Sequence, residues 1–251
     1  MISVICVFND EKILNEWLLK SLKNQNSDFE LILIDNSNNK FDSAARALNH
    51  GAEKAKGKYL MFVHQDIKFC SSNWLVEAEK IMDNIKNLGI VGVAGISSSS
   101  PNQIMNIIFA YEEEVVKYGK KIQTPKVVQT LDECLIIIPK KIMEKYKFDE
   151  KTCDNWHFYS VDYCLSIANL GMKPFVIPLQ IHHRSLGFSV KLRPKLSSIK
   201  YLKDYYCSLN KIVAKHRQNN EFIYTTSGNY KTNSNLVIQD LKRFLSIIKR
   251  F

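Results

Sequence analysis

Several short polar clusters in this sequence combine residue types that can bind a cation, hold an anion or move a proton. His64-Gln65-Asp66 directly follows the apolar run Tyr59–Val63. A carboxylate there can hold a hard divalent cation such as Mg²⁺ or Mn²⁺, which takes oxygen ligands and leaves room for phosphate oxygens. It can equally be a turn Asp that caps the next segment. His182-His183 closes a second apolar run, Pro174–Ile181. Imidazole paired with carboxylate suits Mn²⁺ or a similar metal, and a lone structural His is the competing reading. Neighbouring strand residues face opposite ways, so only one of the two rings is expected to be a ligand. In the cluster Trp156–Cys164, Asp162 stands near the start of a helical pattern. Backbone amides and the helix dipole would keep it ionised there, as a general base for a hydroxyl needs. The alternative is a first-turn Asp among core aromatics. Asp35, at the end of another apolar run, can accept from a base or ribose, or can close an Asx turn.

The elements that must position these groups alternate. Ile2–Phe8 reads as a buried strand, ending in Asn9-Asp10. Residues 12–24 carry Ile13, Trp17, Leu18 and Leu22 at helical spacing. Leu31–Ile34 is a strand, 42–56 a helix stopped by Gly57, Tyr59–Val63 a strand, 73–87 a helix and Ile90–Ala94 a strand. Strand and helix in turn, with short links, predict an α/β fold with a mostly parallel sheet flanked by helices. Ligands bind beyond the carboxyl ends of such strands, where the first three runs end in polar clusters. Neither G-x-G-x-x-G nor G-x-x-x-x-G-K-[ST] follows the first strand, which counts against a dinucleotide dehydrogenase and a P-loop enzyme. Further on, Lys126–Thr130 and Cys134–Ile138 read as strands, and 154–170 as a helix stopped by Gly171.

The charge is lopsided. The 251 residues carry a net charge of +10, yet residues 1–188 hold 22 basic and 22 acidic side chains, and 189–251 hold 13 basic and 3 acidic. This pattern argues against a uniformly basic nucleic-acid binder and predicts a neutral domain, 1–188, with a basic, mostly helical extension, 189–251. Six cysteines without C-x-x-C spacing read as reduced, mostly buried thiols. No apolar run reaches the roughly 18–20 residues that span a bilayer, and the N-terminus lacks the basic and small-residue marks of a signal peptide.

The ordered set of motifs resembles glycosyltransferase family 2, inverting enzymes of the Rossmann-like GT-A fold. The resemblance runs through Ile2–Glu11, Ser21-Leu22-x-x-Gln25, Phe29–Ser37 and Ala55–Val63, and covers about residues 2–188. His64-Gln65-Asp66 stands where the family usually has Asp-x-Asp. With Trp-His-Phe-Tyr-x-x-Asp and His183-Arg-Ser185-Leu-Gly187 it looks like a branch of that family. The resemblance implies that Asp66 and His183 bind Mn²⁺ or Mg²⁺, with His182 in reserve. It implies Asp162 as catalytic base, and Phe8, Asn9, Asp35, Ser37, His64, Gln65 and Asp66 around the nucleotide-sugar. Trp156 and His157 would face acceptor or phosphate. The implied donor is a nucleotide-diphosphate sugar, with UDP favoured and hexosyl or N-acetylhexosaminyl transfer expected. The implied acceptor is a hydroxyl of a glycan or lipid-linked molecule, as in surface polysaccharide synthesis. The missing first acid leaves open an inactive nucleotide- or glycan-binding module of the same fold. A nucleotidyltransferase would want a basic, Gly-rich loop after the first strand, and Phe8–Lys12 is acidic and Gly-free.

Residues 234–251 sort on a helix into Gln239, Lys242, Arg243, Ser246, Lys249 and Arg250 against Val237, Leu241, Phe244, Leu245, Ile248 and Phe251. A cationic amphipathic helix of this kind predicts binding to an anionic membrane surface, placing the protein in the cytoplasm at the inner face of the membrane. Packing on the catalytic domain or on a twin subunit is the other use for that apolar face. No nucleic-acid motif is present.

Overall fold

The computed structural model describes residues 1–98, 103–111, 114–117, 122–184 and 196–235. β1 (Ile2–Phe8) shows how the central sheet is built. Its alternate residues Ile2, Val4 and Cys6 enter one apolar cluster and Ile5 enters a second. A strand whose two faces are both covered must be apolar on both, which is why these runs carry no polar alternation. After β1 the chain forms α1 (Glu11–Leu14), a π-helical turn (Asn15–Leu19) and α2 (Lys20–Leu22). Asp10 caps this segment by accepting from the Ile13 N–H, and Leu14, Leu18 and Leu22 bury one face. β2 (Phe29–Asp35), α3 (Ala44–Ala52), β3 (Tyr59–Val63), β4 (Ile67–Phe69), α4 (Trp74–Asp83), β5 (Leu88–Gly92) and β6 (Ala94–Ile96) follow.

The second half adds β7 (Gln103–Met105), β8 (Ile107–Tyr111), β9 (Glu114–Lys117), β10 (Lys126–Val127), β11 (Thr130–Leu131), β12 (Leu135–Pro139) and α5 (Lys140–Met143). Then come α6 (Tyr159–Ala168), β13 (Lys173–Val176), β14 (Ile181–His183), α7 (Leu196–His216) and the hairpin β15 (Phe222–Thr225) and β16 (Gly228–Lys231). The main sheet has the order β10-β13-β5-β12-β3-β1-β2. β2, β1, β3, β5 and β13 run one way, and β12 and β10 run against them. This is the mostly parallel α/β sheet expected from the alternation. Its carboxyl edge collects the ends of β1, β2 and β3 and, because β12 is reversed, the beginning of β12.

Three departures from the sequence reading matter for the site. The apolar stretch 174–181 is not one strand: β13 leaves the main sheet at Val176, and β14 joins a second sheet of order β4-β14-β8-β9. Periodicity alone does not show a change of sheet. α6 starts at Tyr159 and not at 154, because Phe158 has a left-handed φ of 65° that no helix continues through. Its stop at Gly171 is as expected, with φ 78° there. After residue 216 the basic segment turns into a hairpin, and Tyr205, Leu209, Ile212, Val213, Ile223 and Tyr230 sit in the same apolar cluster as Ile5 and Phe62. Residues 236–251, which carry nearly all of the proposed membrane helix, lie outside the described residues, as do Ser185 and Gly187.

Candidate active site

β3 delivers His64-Gln65-Asp66 to the carboxyl edge of the sheet, and the chain then turns into β4. β14 runs antiparallel to β4 with His183 opposite Ile67, and the Arg184 N–H donates to the Asp66 carbonyl at 2.9 Å. This register places His183 Nε2 3.4 Å from Asp66 Oδ1. His64 completes a group in which one ligand atom from each of His64, Asp66 and His183 lies within 4.8 Å of the others. The His64 and His183 rings are 5.8 Å apart, and Phe109 walls the far side of His183 at 5.9 Å.

The chemistry of the group suits a divalent cation. His183 Nδ1 is buried without a hydrogen-bond partner among the described residues. Burial pushes the Asp66 carboxyl up, but hydrogen bonding and charge from His183, then charge from His64, outweigh it and hold Asp66 below its ordinary value. An anionic carboxylate between two imidazoles, with one ring nitrogen unspent, is a mixed oxygen and nitrogen donor set. His182 faces away from the group. It pairs with Lys68 across β4, and burial followed by the Lys68 charge lowers its pKa.

Gln65 ties this turn to the end of β1. Its Oε1 accepts from the Asn9 and Asp10 N–H groups at 3.0 and 3.1 Å, and its Nε2 donates to Asn9 Oδ1 at 2.9 Å. Phe8 is paired with Asp35 across β1 and β2, and its carbonyl accepts from the Asn36 N–H. Asp35 Oδ1 accepts from the Ser37 N–H at 2.8 Å, an Asx turn, and the backbone and hydroxyl of Ser37 lower its pKa. Phe8, Asn9, Asp35, Ser37 and Gln65 thus share one edge with the His64–Asp66–His183 group.

Asp162 lies in a different setting. It is 3% exposed, and both its oxygens are engaged: Oδ1 with His216 Nε2 at 2.7 Å, and Oδ2 with Lys215 Nζ at 2.8 Å. Lys215 also reaches Asp149 Oδ2 at 2.9 Å, and Lys211 pairs with Asp154. The partners of Asp162 therefore come from α7, not from the group around Asp66. Trp156 is 42% exposed beside the start of α6, and His157, whose N–H donates to Asn155 Oδ1, lies with its ring next to Phe158 and Tyr205.

Beyond the place of His64 in the metal-type group, whereas the sequence reading put it beside the nucleotide-sugar, two features were not foreseen. Lys215 and His216 come from the basic extension, where no apolar strand end marks them. Glu133 precedes β12, and the rule that sites follow strands passes over residues in front of one. A reversed strand brings its beginning to the carboxyl edge, so the polar pair Asp132-Glu133 before the apolar run 134–138 was the available signal.

A family model described as "Glycosyltransferase like family" matches residues 3–184. Among solved structures, the mannosyltransferase PcManGT of Pyrobaculum calidifontis, in complex with GDP-Man and Mn²⁺, superposes with a TM-score of 0.58 at 13% identity, over 87% of this chain and 64% of that one. GalNAc-T7 with UDP, GalNAc and Mn²⁺ gives 0.57 at 12%, over 74% and 44%. TarS 1-349 of S. aureus with UDP-GlcNAc gives 0.56 at 15%, over 85% and 66%. At these identities the likeness is one of fold, GT-A. A curated protein of Fuscovulum blasticum, "ATP synthase subunits region ORF 6", is 25% identical over 140 residues, 52% of this chain and 53% of that protein. The chain thus spans about half the length of this curated relative. The family match covers most of the chain and includes every strand of the main sheet and the whole His64–Asp66–His183 group, so this protein belongs to the glycosyltransferase-like family.

Proposed function

We propose that the protein is a metal-dependent, inverting glycosyltransferase that moves a sugar from a nucleotide-diphosphate donor to a hydroxyl of a glycan or lipid-linked acceptor. The observation that carries this reading is the convergence of His64, Asp66 and His183 at the carboxyl edge of a sheet with the GT-A fold. Asp66 and His183 would hold Mn²⁺ or Mg²⁺, with His64 alongside. When bound, such an ion neutralises charge on a diphosphate leaving group.

The chain's own residues supply the rest. Asp35, at the end of β2, and Ser37, just beyond it, would meet the base and ribose. Asn9 and Gln65, locked to each other, fix the turn that carries Asp66 and so set where a diphosphate can lie. Alignment of this sort accounts for much of the rate when the leaving group departs as an anion. Trp156, exposed beside α6, offers an apolar face to an acceptor sugar. The solved neighbours hold GDP-mannose, UDP or UDP-GlcNAc. A UDP-sugar is the donor we favour, a hexose or N-acetylhexosamine is the group moved, and surface polysaccharide is the product class. The basic tail, 234–251, would hold the enzyme on the cytoplasmic face of an anionic membrane.

The test is a thermal-shift screen of UDP, GDP and their sugars with and without Mn²⁺. One nucleotide is expected to raise the unfolding temperature only when Mn²⁺ is present, by an amount that grows with ligand concentration. The absence of a shift with every nucleotide, or an equal shift in EDTA, would refute the metal-dependent reading.

A further inference from the structure

We propose that Glu133 is the general base that takes the proton from the acceptor hydroxyl, an assignment that rests on the transferase reading above. Its place follows from the one reversed strand in the centre of the sheet. β12 pairs with β3 through Leu135 and Val63, and the His64 N–H donates to the Cys134 carbonyl at 3.0 Å. One residue further out, Glu133 falls level with Gln65, next to the turn that carries Asp66.

Two other carboxylates, Asp162 and Asp132, are already committed. Asp162 has both oxygens in contact with Lys215 and His216. Asp132 Oδ1 accepts from the Cys134 N–H at 3.0 Å, and its Oδ2 accepts from the Thr226 hydroxyl at 2.9 Å. Glu133 Oε1, in contrast, is buried and has no hydrogen-bond partner among the described residues. Burial, then the Asp132 charge, pushes its pKa up to about 8, while the N–H groups of Ser160, Tyr159 and Phe158 at the start of α6 pull the other way. The carboxyl group is thus aimed by a helix end and keeps one oxygen uncommitted. A base needs such an oxygen, and a pKa near the working pH serves it best.

In the step, a Glu133 oxygen accepts the hydroxyl proton while the acceptor oxygen bonds to the anomeric carbon. The bond from that carbon to the diphosphate oxygen breaks, and its electron pair leaves with the nucleoside diphosphate. The configuration inverts, and the proton on Glu133 later passes to water. Asp162 then acts at one remove, as a positioning residue that fixes α6 against α7.

The full chain is incubated with Mn²⁺ and each of UDP-glucose, UDP-N-acetylglucosamine and GDP-mannose, and release of nucleoside diphosphate to water is measured. Glu133→Gln should lower kcat by about 10²–10⁴-fold, with donor KM and the Mn²⁺-dependent thermal shift by free nucleotide unchanged. Glu133→Asp should recover part of the rate. A Glu133→Gln enzyme within about threefold of the parent overturns the assignment. So does loss of the nucleotide shift together with turnover, which would make Glu133 a structural cap of α6. A parent chain that neither binds nor cleaves any of the three donors, at any metal concentration, refutes the transferase reading itself.

Discussion

At the residue scale, the proposed cation site puts the heaviest demand on the pair Asp66 and His183, because such a site fails when one ligand is lost. Asp66→Asn or His183→Ala should weaken Mn²⁺ binding, read by isothermal titration, by more than the roughly 10–100-fold typical of an outer-shell loss. His182→Ala should leave it within about twofold, since that ring faces Lys68. Equal losses for both histidines would contradict the geometry. Glu133 gives a pH prediction. A base works deprotonated, so the rate of donor cleavage should rise with pH up to about 8 and level off above it. Of the groups facing it, Cys134 and Tyr159 do not supply that limb, because burial raises both the thiol and the phenol. Glu133→Gln should flatten the profile. His64, Asp66 and His183 were legible as types at strand ends. Which histidine turns inward depended on the register of β14 on β4, which one strand's sequence does not contain.

At the element scale, α6 and α7 are joined by a buried charge cluster. His216 and the Asp162 side chain are 3% and 4% exposed, so losing one partner leaves the other uncompensated. His216→Ala should destabilise the fold by about 3 kcal/mol in urea unfolding, far above a surface substitution. The cluster also has an acid limb. Burial tends to raise the Asp149 carboxyl, but Thr152 and Lys215 more than offset it, so Asp149 stays well below its ordinary value. A depressed carboxylate contributes stability above its unfolded pKa, about 3.9, and loses it as pH falls below that. Lys215→Met should therefore reduce the drop in stability seen below pH ~4, measured by urea midpoints across pH. The helices were legible from 3.6-residue periodicity, and β1 to β3 from apolar runs ended by polar clusters. The ends were less so: Phe158 moved the start of α6 by a backbone angle, and 174–181 split between sheets because both pieces are apolar.

At the scale of the whole molecule, the +10 excess takes on two meanings. Part of it is internal: Lys211 and Lys215 of α7 meet Asp154, Asp149 and Asp162 of the first 188 residues. The remainder includes the basic side chains between 236 and 251. A chain ending at residue 188 would expose the seats of Tyr205, Leu209, Ile212 and Tyr230, and should lack a cooperative thermal transition. A chain ending at 235 should keep both its transition and its nucleotide shift, and lose binding to vesicles containing anionic lipid. Retained vesicle binding would remove the tail from that role. Among the described residues no helix is long and apolar enough to cross a membrane.

The tandem histidines have one more consequence, which concerns error rather than chemistry. Sliding an antiparallel strand by one residue turns every side chain to the opposite face, and in most strands this would remove a ligand outright. Here such a slip of β14 on β4 would seat His182 opposite Ile67, where His183 now stands. Either alignment presents an imidazole to Asp66. The duplication works as a spare part in one direction: an insertion of one residue between Ile177 and Ile181 should harm this centre less, in Mn²⁺ binding, than a deletion there, which would seat Arg184 opposite Ile67.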